Sequence, residues 1–296
     1  MTGQTSSRPR VSVVMLTFRR PQFIDRAVLS VMAQRFQSWE LIVVHDGDNE
    51  HIRAAMQGYV AIDPRIRYLH RPMATNIANA YNFGIAHAEG DYIAILDDDD
   101  CWVDPDKLVL QVDFLDSHPD YAVCGGGMVA VDANGQKLMQ YLKWEHDHDI
   151  KRWALVANPL GHSTTIFRRQ VGDHIAAYDE SLAGFQDWDL WLKLGRVGKL
   201  YNFQRVFTWY TIWEGGGSFE QNKANARSAI KIVWRHHDAY RGLALALPFT
   251  SLQWVYAHLP TYIRQHSFSR LSRLKKSIFG NRAGNTTDPG SVRPAA

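Results

Sequence analysis

Cysteine is nearly absent: Cys101 and Cys124 are the only two in 296 residues, and they do not form a CxxC pair. That excludes a disulfide framework and a cysteine-built zinc site, so stability has to come from packing. Long apolar runs are missing too. No stretch reaches the roughly 18 apolar residues of a membrane-spanning helix, and Met1 to Arg10 is polar, without the apolar centre of a secretion signal. The cytoplasm is the expected location. Charge of one sign is also scarce. A net charge of +3 is too small for a dedicated nucleic-acid binder, and no nucleic-acid partner is expected. The balance is uneven, however: Thr261 to Ala296 carries seven Lys and Arg against the single acid Asp288, a net +6, which leaves −3 on the remaining 260 residues.

What is present is a 46% hydrophobic chain whose apolar residues come in two alternating patterns. Val11-Ser-Val-Val-Met-Leu-Thr17, Leu41-Ile-Val-Val44, Ile66-Arg-Tyr-Leu69 and Tyr92-Ile-Ala-Ile-Leu96 are short β-branched runs that predict buried strands. Between them Phe23, Ile24, Ala27, Val28 and Val31 fall at helical spacing behind Pro21, and further helices are predicted from about 50 to 60 and 76 to 88. Strand, helix, strand, helix predicts an α/β chain with a mainly parallel, doubly wound sheet. In that architecture ligands bind beyond the carboxyl ends of the strands, so the loops after Leu16, Val44 and Leu96 are expected to converge on one site. Later come a helix after Pro105, a strand over 121–131, a turn at Asp132-Ala-Asn-Gly135, a strand at 163–167, a helix at 187–194, a strand around 201–212 and a helix over about 220–240. No internal repeat is present.

The run Asp97-Asp-Asp-Asp100 follows the fourth strand directly. Each pair of such charges at ~4 Å repels by about 4 kcal/mol at an effective dielectric of 20, so something must offset them. A divalent cation does this, and Mg²⁺ or Mn²⁺ favours one or two carboxylates together with phosphate oxygens and water. The plainer alternative is a solvated acidic turn that caps the next helix.

Val11-Ser-Val-Val-Met-Leu-Thr-Phe18, Ser30-Val-Met-Ala-Gln34, Trp39-Glu-Leu-Ile-Val-Val-His-Asp-Gly47, Asn82-Phe-Gly-Ile-Ala86, Ala88-Glu-Gly-Asp-Tyr-Ile93 and Leu96-Asp-Asp-Asp-Asp100, in this order, resemble the inverting family-two glycosyltransferases of GT-A fold. The resemblance spans about residues 10 to 215. It implies a nucleotide-diphosphate sugar donor, Mn²⁺ or Mg²⁺ on a DxD motif, and direct transfer with inversion to a glycan, lipid-linked or protein acceptor. Carried over by position, Thr17, Phe18, Asp46, Asn82, Asp97 and Asp98 contact the donor, and Asp97 and Asp99 hold the metal. An Asp46 carboxylate can accept the N3–H of uracil or thymine, which favours a UDP- or dTDP-sugar, although guanine N1–H would also serve; the alternative is an Asx-turn before Gly47. In Gly184-Phe-Gln-Asp187-Trp-Asp-Leu-Trp191, Asp187 matches the family's catalytic base and Gln186 replaces the usual glutamate. Asp187 otherwise reads as a helix N-cap.

Several positions depart from the family pattern: His45 for a common aspartate, Asp48 for serine, and Tyr81 where arginine often precedes Asn82. His162 precedes a strand on the acceptor side, where a histidine can touch phosphate, metal or acceptor; the alternative, commoner for a lone histidine, is a structural role. The QxxRW motif of processive synthases is missing, which favours single transfer. Two other readings of the chain are a non-catalytic nucleotide-sugar binder of the same fold and a nucleotidyltransferase; against the latter, Phe18-Arg-Arg-Pro21 lacks the glycines of a phosphate loop. The expected organisation is a disordered leader (1–10), a GT-A domain (11–240, with the nucleotide-sugar half over 11–104, the acceptor half over 105–217 and a helix over 218–240), an aromatic and basic extension (241–280) and a disordered tail (281–296). The extension mixes Phe249, Trp254, Tyr256, Tyr262 and Phe268 with Arg264, Arg270, Arg273, Lys275 and Lys276. That composition suits peripheral attachment to an anionic membrane surface; the alternative is that the apolar residues pack on the catalytic domain and leave a solvated basic face.

Overall fold

A computed structural model of the chain describes residues 8–213 and 222–258. The expectations for the leader before Arg8, for the Gly215-Gly-Gly217 break and the helix start at 218–221, and for everything after His258 lie outside the described residues. Arg8 and Arg10, assigned to the leader, are instead fastened: Arg8 Nε donates to Glu89 O, and Arg10 pairs with Asp116 at 2.8 Å.

The first half follows the alternating pattern. β1 (Val11–Thr17), α1 (Pro21–Met32), β2 (Trp39–Asp46), α2 (Glu50–Ile62), β3 (Ile66–Arg71), α3 (Ile77–Ala86) and β4 (Tyr92–Asp97) give four parallel strands in the order β3-β2-β1-β4. Every residue of β1 and β2 is buried, because helices cover both faces of the sheet. Alternate strand residues meet opposite layers: Val13, Met15, Leu41 and Val43 pack with Ile24, Val28, Ile52 and Met56 of α1 and α2, whereas Val14, Ile42 and Val44 pack with Ala78, Tyr81 and Ile85 of α3. Gly84 sets how closely α3 approaches the sheet. A Cβ there would lie 2.6 Å from Val14 Cγ1 and 2.9 Å from Val44 Cγ2.

The second half comprises β5 (Cys101–Trp102), α4 (Lys107–Ser117), β6 (Tyr121–Val131), β7 (Lys137–Tyr141), α5 (Asp147–Trp153), β8 (Ile166–Arg168), α6 (Arg169–His174), α7 (Gln186–Val197), β9 (Lys199–Thr211), α8 (Asn222–His236) and α9 (Leu243–His258). Among the described residues the sheet continues from β4 in the order β8-β6-β9-β5, with β7 on β6. Only β6 and β9 pair in parallel here, and the remaining pairings are antiparallel. Parallel neighbours need a long crossover, which the short turn between β6 and β7 does not provide. The strand expected at 163–167 begins only at Ile166. His162–Thr164 forms a 3₁₀ turn, because the hydroxyls of Thr164 and Thr165 fold back onto Gly161 O and His162 O at 2.7 Å each.

A third apolar cluster joins Leu192 of α7, Ile232 and Val233 of α8, and Ala246 of α9. It encloses Asp189, which pairs with Arg235 at 2.8 Å and with Lys193 and His236 at 3.0 Å each. α9 contains Pro248 within its span and packs Leu243, Leu247 and Phe249 on this cluster, while Leu245, Leu252, Trp254 and Val255 face outward. Among the described residues no helix is long and apolar enough to cross a membrane.

Candidate active site

Register brings the three strand-end loops to one edge of the sheet: Leu16 lies opposite Asp97, Thr17 opposite His45, and Asp46 opposite Arg71. Gly47 has φ +135°, and a Cβ on it would stand 2.9 Å from the Phe18 ring. The loops after β1 and β2 therefore close face to face, with the Arg19 guanidinium 4.7 Å over the same ring. Asp46 is buried and accepts the Thr75 N–H at 2.7 Å and its hydroxyl at 3.2 Å, while Arg71 Nε stands 3.6 Å away. His45 bonds Tyr68 Oη at 2.6 Å. Burial first, then the neighbouring His70 and Arg53, push its pKa down to about 4, so the imidazole is neutral. Asn82 does not point at open space: its amide donates to Tyr178 O (2.9 Å) and Glu180 Oε1 (3.0 Å), and its oxygen accepts the Tyr178 N–H (3.0 Å). It pins the 178–180 segment to α3.

The four aspartates have four different environments. Asp97 accepts Tyr81 Oη at 2.5 Å on one oxygen and faces His162 Nδ1 at 2.9 Å on the other. Burial opposes its ionisation, but the His162 charge and hydrogen bond and the Tyr81 hydroxyl outweigh it and hold the carboxyl well below the usual range. Asp98 is completely buried; Arg20 Nη2 stands 2.5 Å away, yet burial pushes its pKa up to about 7. Asp99 takes Arg20 Nη1 at 2.6 Å and Trp213 Nε1 at 2.9 Å on one oxygen, and its carbonyl accepts Arg26 at 2.6 Å. Asp100 belongs to the frame: it accepts Ser163 Oγ at 2.5 Å and the Thr211 N–H at 3.0 Å, and burial raises its pKa well above the ordinary value.

His162 links Asp97 to Tyr178. Burial disfavours its charge, but Asp97, Asp187 and Asp100 together raise its pKa to about 9. Its Nε2 meets Tyr178 Oη at 2.8 Å, and that phenol is pushed up by burial and by the charges of Asp187 and Asp97. Asp187 lies in the first turn of α7, behind Phe185 in a left-handed conformation (φ 57°, ψ 29°) that serves as the N-cap. Asp187 therefore does not cap the helix. Its Oδ2 accepts Asn158 Nδ2 at 2.6 Å, and Gln186 Nε2 donates to Leu182 O at 3.2 Å.

Thr17, Phe18, Asp46 and Asp97 to Asp99 thus share one edge, Asn82 supports it from below, and Asp187 lies across His162 and Tyr178. Arg20, Tyr81, Tyr178, Ser163 and Asn158 were not legible as site residues. Arg20 and Tyr81 drew attention only as a missing phosphate loop and a missing arginine, and the other three carry no local signal. Among the described residues no group of three or more His, Cys, Asp or Glu side chains is arranged to hold a metal ion by itself. A divalent ion would therefore rely on one or two carboxylates and complete its shell from phosphate and water, which suits Mg²⁺ or Mn²⁺. The buried Asp98 oxygens, without an aligned hydrogen bond, and the guanidinium held between Asp98 and Asp99 mark the cluster as a place that stabilises positive charge.

Residues 12–175 match the family description Glycosyl transferase family 2, and the chain belongs to that family. Among relatives, EpsE of Bacillus subtilis (strain 168) is 29% identical over 220 residues, 73% of this chain and 77% of its own. The amylovoran biosynthesis glycosyltransferase AmsE of Erwinia amylovora is 23% identical over 191 residues, 64% and 70% of the two chains. The y4gI protein of Sinorhizobium fredii is 31% identical over 187 residues, 62% of this chain but one fifth of that longer protein. In three dimensions the chain is similar to Staphylococcus aureus TarS 1-349 in complex with UDP-GlcNAc (TM-score 0.65, 16% identity, 92% of this chain and 78% of that one). It is also similar to the mannosyltransferase PcManGT of Pyrobaculum calidifontis with GDP-Man and Mn²⁺ (TM-score 0.58, 16% identity, 95% and 77%). The fold is that of the GT-A glycosyltransferases, and the class of reaction is glycosyl transfer.

Proposed function

We propose that this glycosyltransferase is metal-dependent and inverting, and that it moves a single sugar from a UDP- or dTDP-sugar to a hydroxyl acceptor. The observation that supports the reading is His162, which meets Asp97 at 2.9 Å with one ring nitrogen and Tyr178 Oη at 2.8 Å with the other, and lies near enough to Asp187 for that carboxylate to help raise its pKa. Asp187 acts as the base: its carboxylate, steadied by Asn158, takes the proton of the acceptor hydroxyl as the new bond forms. Asp99 and Asp97 hold the divalent ion, which when bound supplies charge to stabilise the leaving diphosphate. Thr17, Asp98 and the Phe18 ring line the donor side. Asp46 offers its carboxylate to an imide N–H of the base while Thr75 and Arg71 keep it in place. Asn82 shapes the same pocket through the 178–180 segment.

By this reading residues 11–104 form the nucleotide-sugar half and 105–217 the acceptor half. The AmsE relationship supports a role in polysaccharide biosynthesis, with a glycan, lipid-linked or protein acceptor. The outward residues of α9, followed in sequence by the basic residues after Thr261, support attachment to the anionic cytoplasmic face of a membrane. The test is release of UDP or dTDP from a panel of donor sugars with Mn²⁺, with and without acceptors, together with the anomeric configuration of the product. Turnover unaffected by chelation would refute metal dependence, and a retained configuration would refute inversion.

A further inference from the structure

Arg20 occupies an unusual place for a surface-loop arginine. Arg19 before it is left-handed at φ 55°, and Pro21 after it fixes the start of α1, so the backbone turns the Arg20 side chain inward. There one guanidinium spans two carboxylates, Asp98 Oδ1 at 2.5 Å and Asp99 Oδ2 at 2.6 Å, with its side chain only 22% exposed. On the other flank His162 is taken by Asp97. Among the described residues these two cations make all the ion pairs to the four aspartates. The Nε of Arg20 is buried and has no hydrogen-bond partner. A guanidinium bridging Asp98 and Asp99 and a divalent cation on Asp99 compete for the same negative charge.

We propose that Arg20 is an exchangeable counter-ion: it neutralises Asp98 and Asp99 in the metal-free enzyme, yields Asp99 to the divalent cation when the donor binds, and then presents its charge to the donor diphosphate. This rests on the reading of Asp97 and Asp99 as the metal site. It explains how four adjacent aspartates, Asp98 and Asp100 buried and Asp97 and Asp99 partly so, can be held together in a chain that folds before it meets its donor. It also makes metal and nucleotide binding mutually dependent, because release of Arg20 from the carboxylates is favourable only when an anion is there to receive it.

Mn²⁺ binding to the full chain, measured by paramagnetic resonance of the free ion without nucleotide, tests this directly. Arg20→Met removes a charge-assisted pair that must otherwise be broken, and should tighten Mn²⁺ binding by about tenfold or more. Arg20→Lys keeps the charge without the two-armed grip and should fall between Arg20→Met and wild type. In saturating Mn²⁺ the order reverses for UDP, which Arg20→Met should bind more weakly than wild type. Mn²⁺ affinity equal to or below wild type in Arg20→Met overturns the exchange. If Arg20→Met folds only with Mn²⁺ present, the exchange is supported; if it folds under neither condition, Arg20→Lys decides by the same criterion. Asp99→Asn separates the two levels of the argument. Mn²⁺ binding abolished by Asp99→Asn but indifferent to Arg20 defeats the exchange alone, whereas binding insensitive to both, or none in any variant, defeats the metal site as well.

Discussion

Lys107, the first residue of α4, is completely buried beneath Trp102, with its Nζ 3.9 Å from the ring centroid and 2.7 Å from Gln111 Oε1. Burial drives its pKa from 10.5 down to about 7. A base with a depressed folded-state pKa weakens the fold wherever the unfolded chain binds the extra proton. The penalty is absent above pH 10.5, grows as pH falls and is complete below about 7, where it amounts to roughly 5 kcal/mol. Lys107→Met removes that penalty but leaves the buried Gln111 Oε1 without its donor, a cost of about 2 to 3 kcal/mol. The variant should therefore be more stable than wild type by about 2 kcal/mol at pH 6.5 and less stable by about 1 kcal/mol at pH 9.5. Urea unfolding followed by far-UV circular dichroism at the two pH values gives both differences from the midpoints and slopes. The stability curves must cross. A stability difference of the same sign and size at both pH values would refute the assignment of Lys107 as a buried, largely neutral amine.

Asp187→Asn keeps the shape and the Asn158 contact but cannot accept a proton, so kcat should fall by about 10² to 10⁴-fold with donor affinity nearly unchanged; steady-state kinetics beside calorimetric UDP titration checks this, and an undiminished kcat rules out the role. Asp99→Ala should abolish turnover and weaken Mn²⁺-dependent UDP binding. Asp100→Asn should leave both nearly intact, because burial already favours the protonated carboxyl there; an equal loss in the two variants would contradict the division. Gly84→Ala drives a methyl into Val14 and Val44, and the overpacking should lower stability by about 1 to 3 kcal/mol in a thermal melt. Full-length protein should cosediment with anionic liposomes more strongly than a truncation after Leu247, and equal binding by the two would argue against the membrane role.

The first half of the fold was legible because its physics is local. A strand buried on both faces must be apolar throughout, a helix on one face must be apolar at helical spacing, and strands so joined must run parallel with their ends on one edge. Those rules alone brought Thr17, Asp46 and Asp97 together, and the register agrees. The second half was less legible, because antiparallel pairing and hydroxyl-satisfied turns depend on neighbours remote in sequence, as Thr164 and Thr165 illustrate at the 3₁₀ turn. Sequence marked Asp187 by its motif. Only tertiary structure decided that Phe185, rather than Asp187, is the N-cap of α7, that Asn82 is fully engaged by the 178–180 segment, and that Asp97 to Asp100 are four chemically different acids. The reason is that a carboxyl's charge state is set by burial and by partners such as Arg20, Tyr81 and His162, 79, 16 and 65 residues from the acids they touch. No window along the chain contains them all; the fold does.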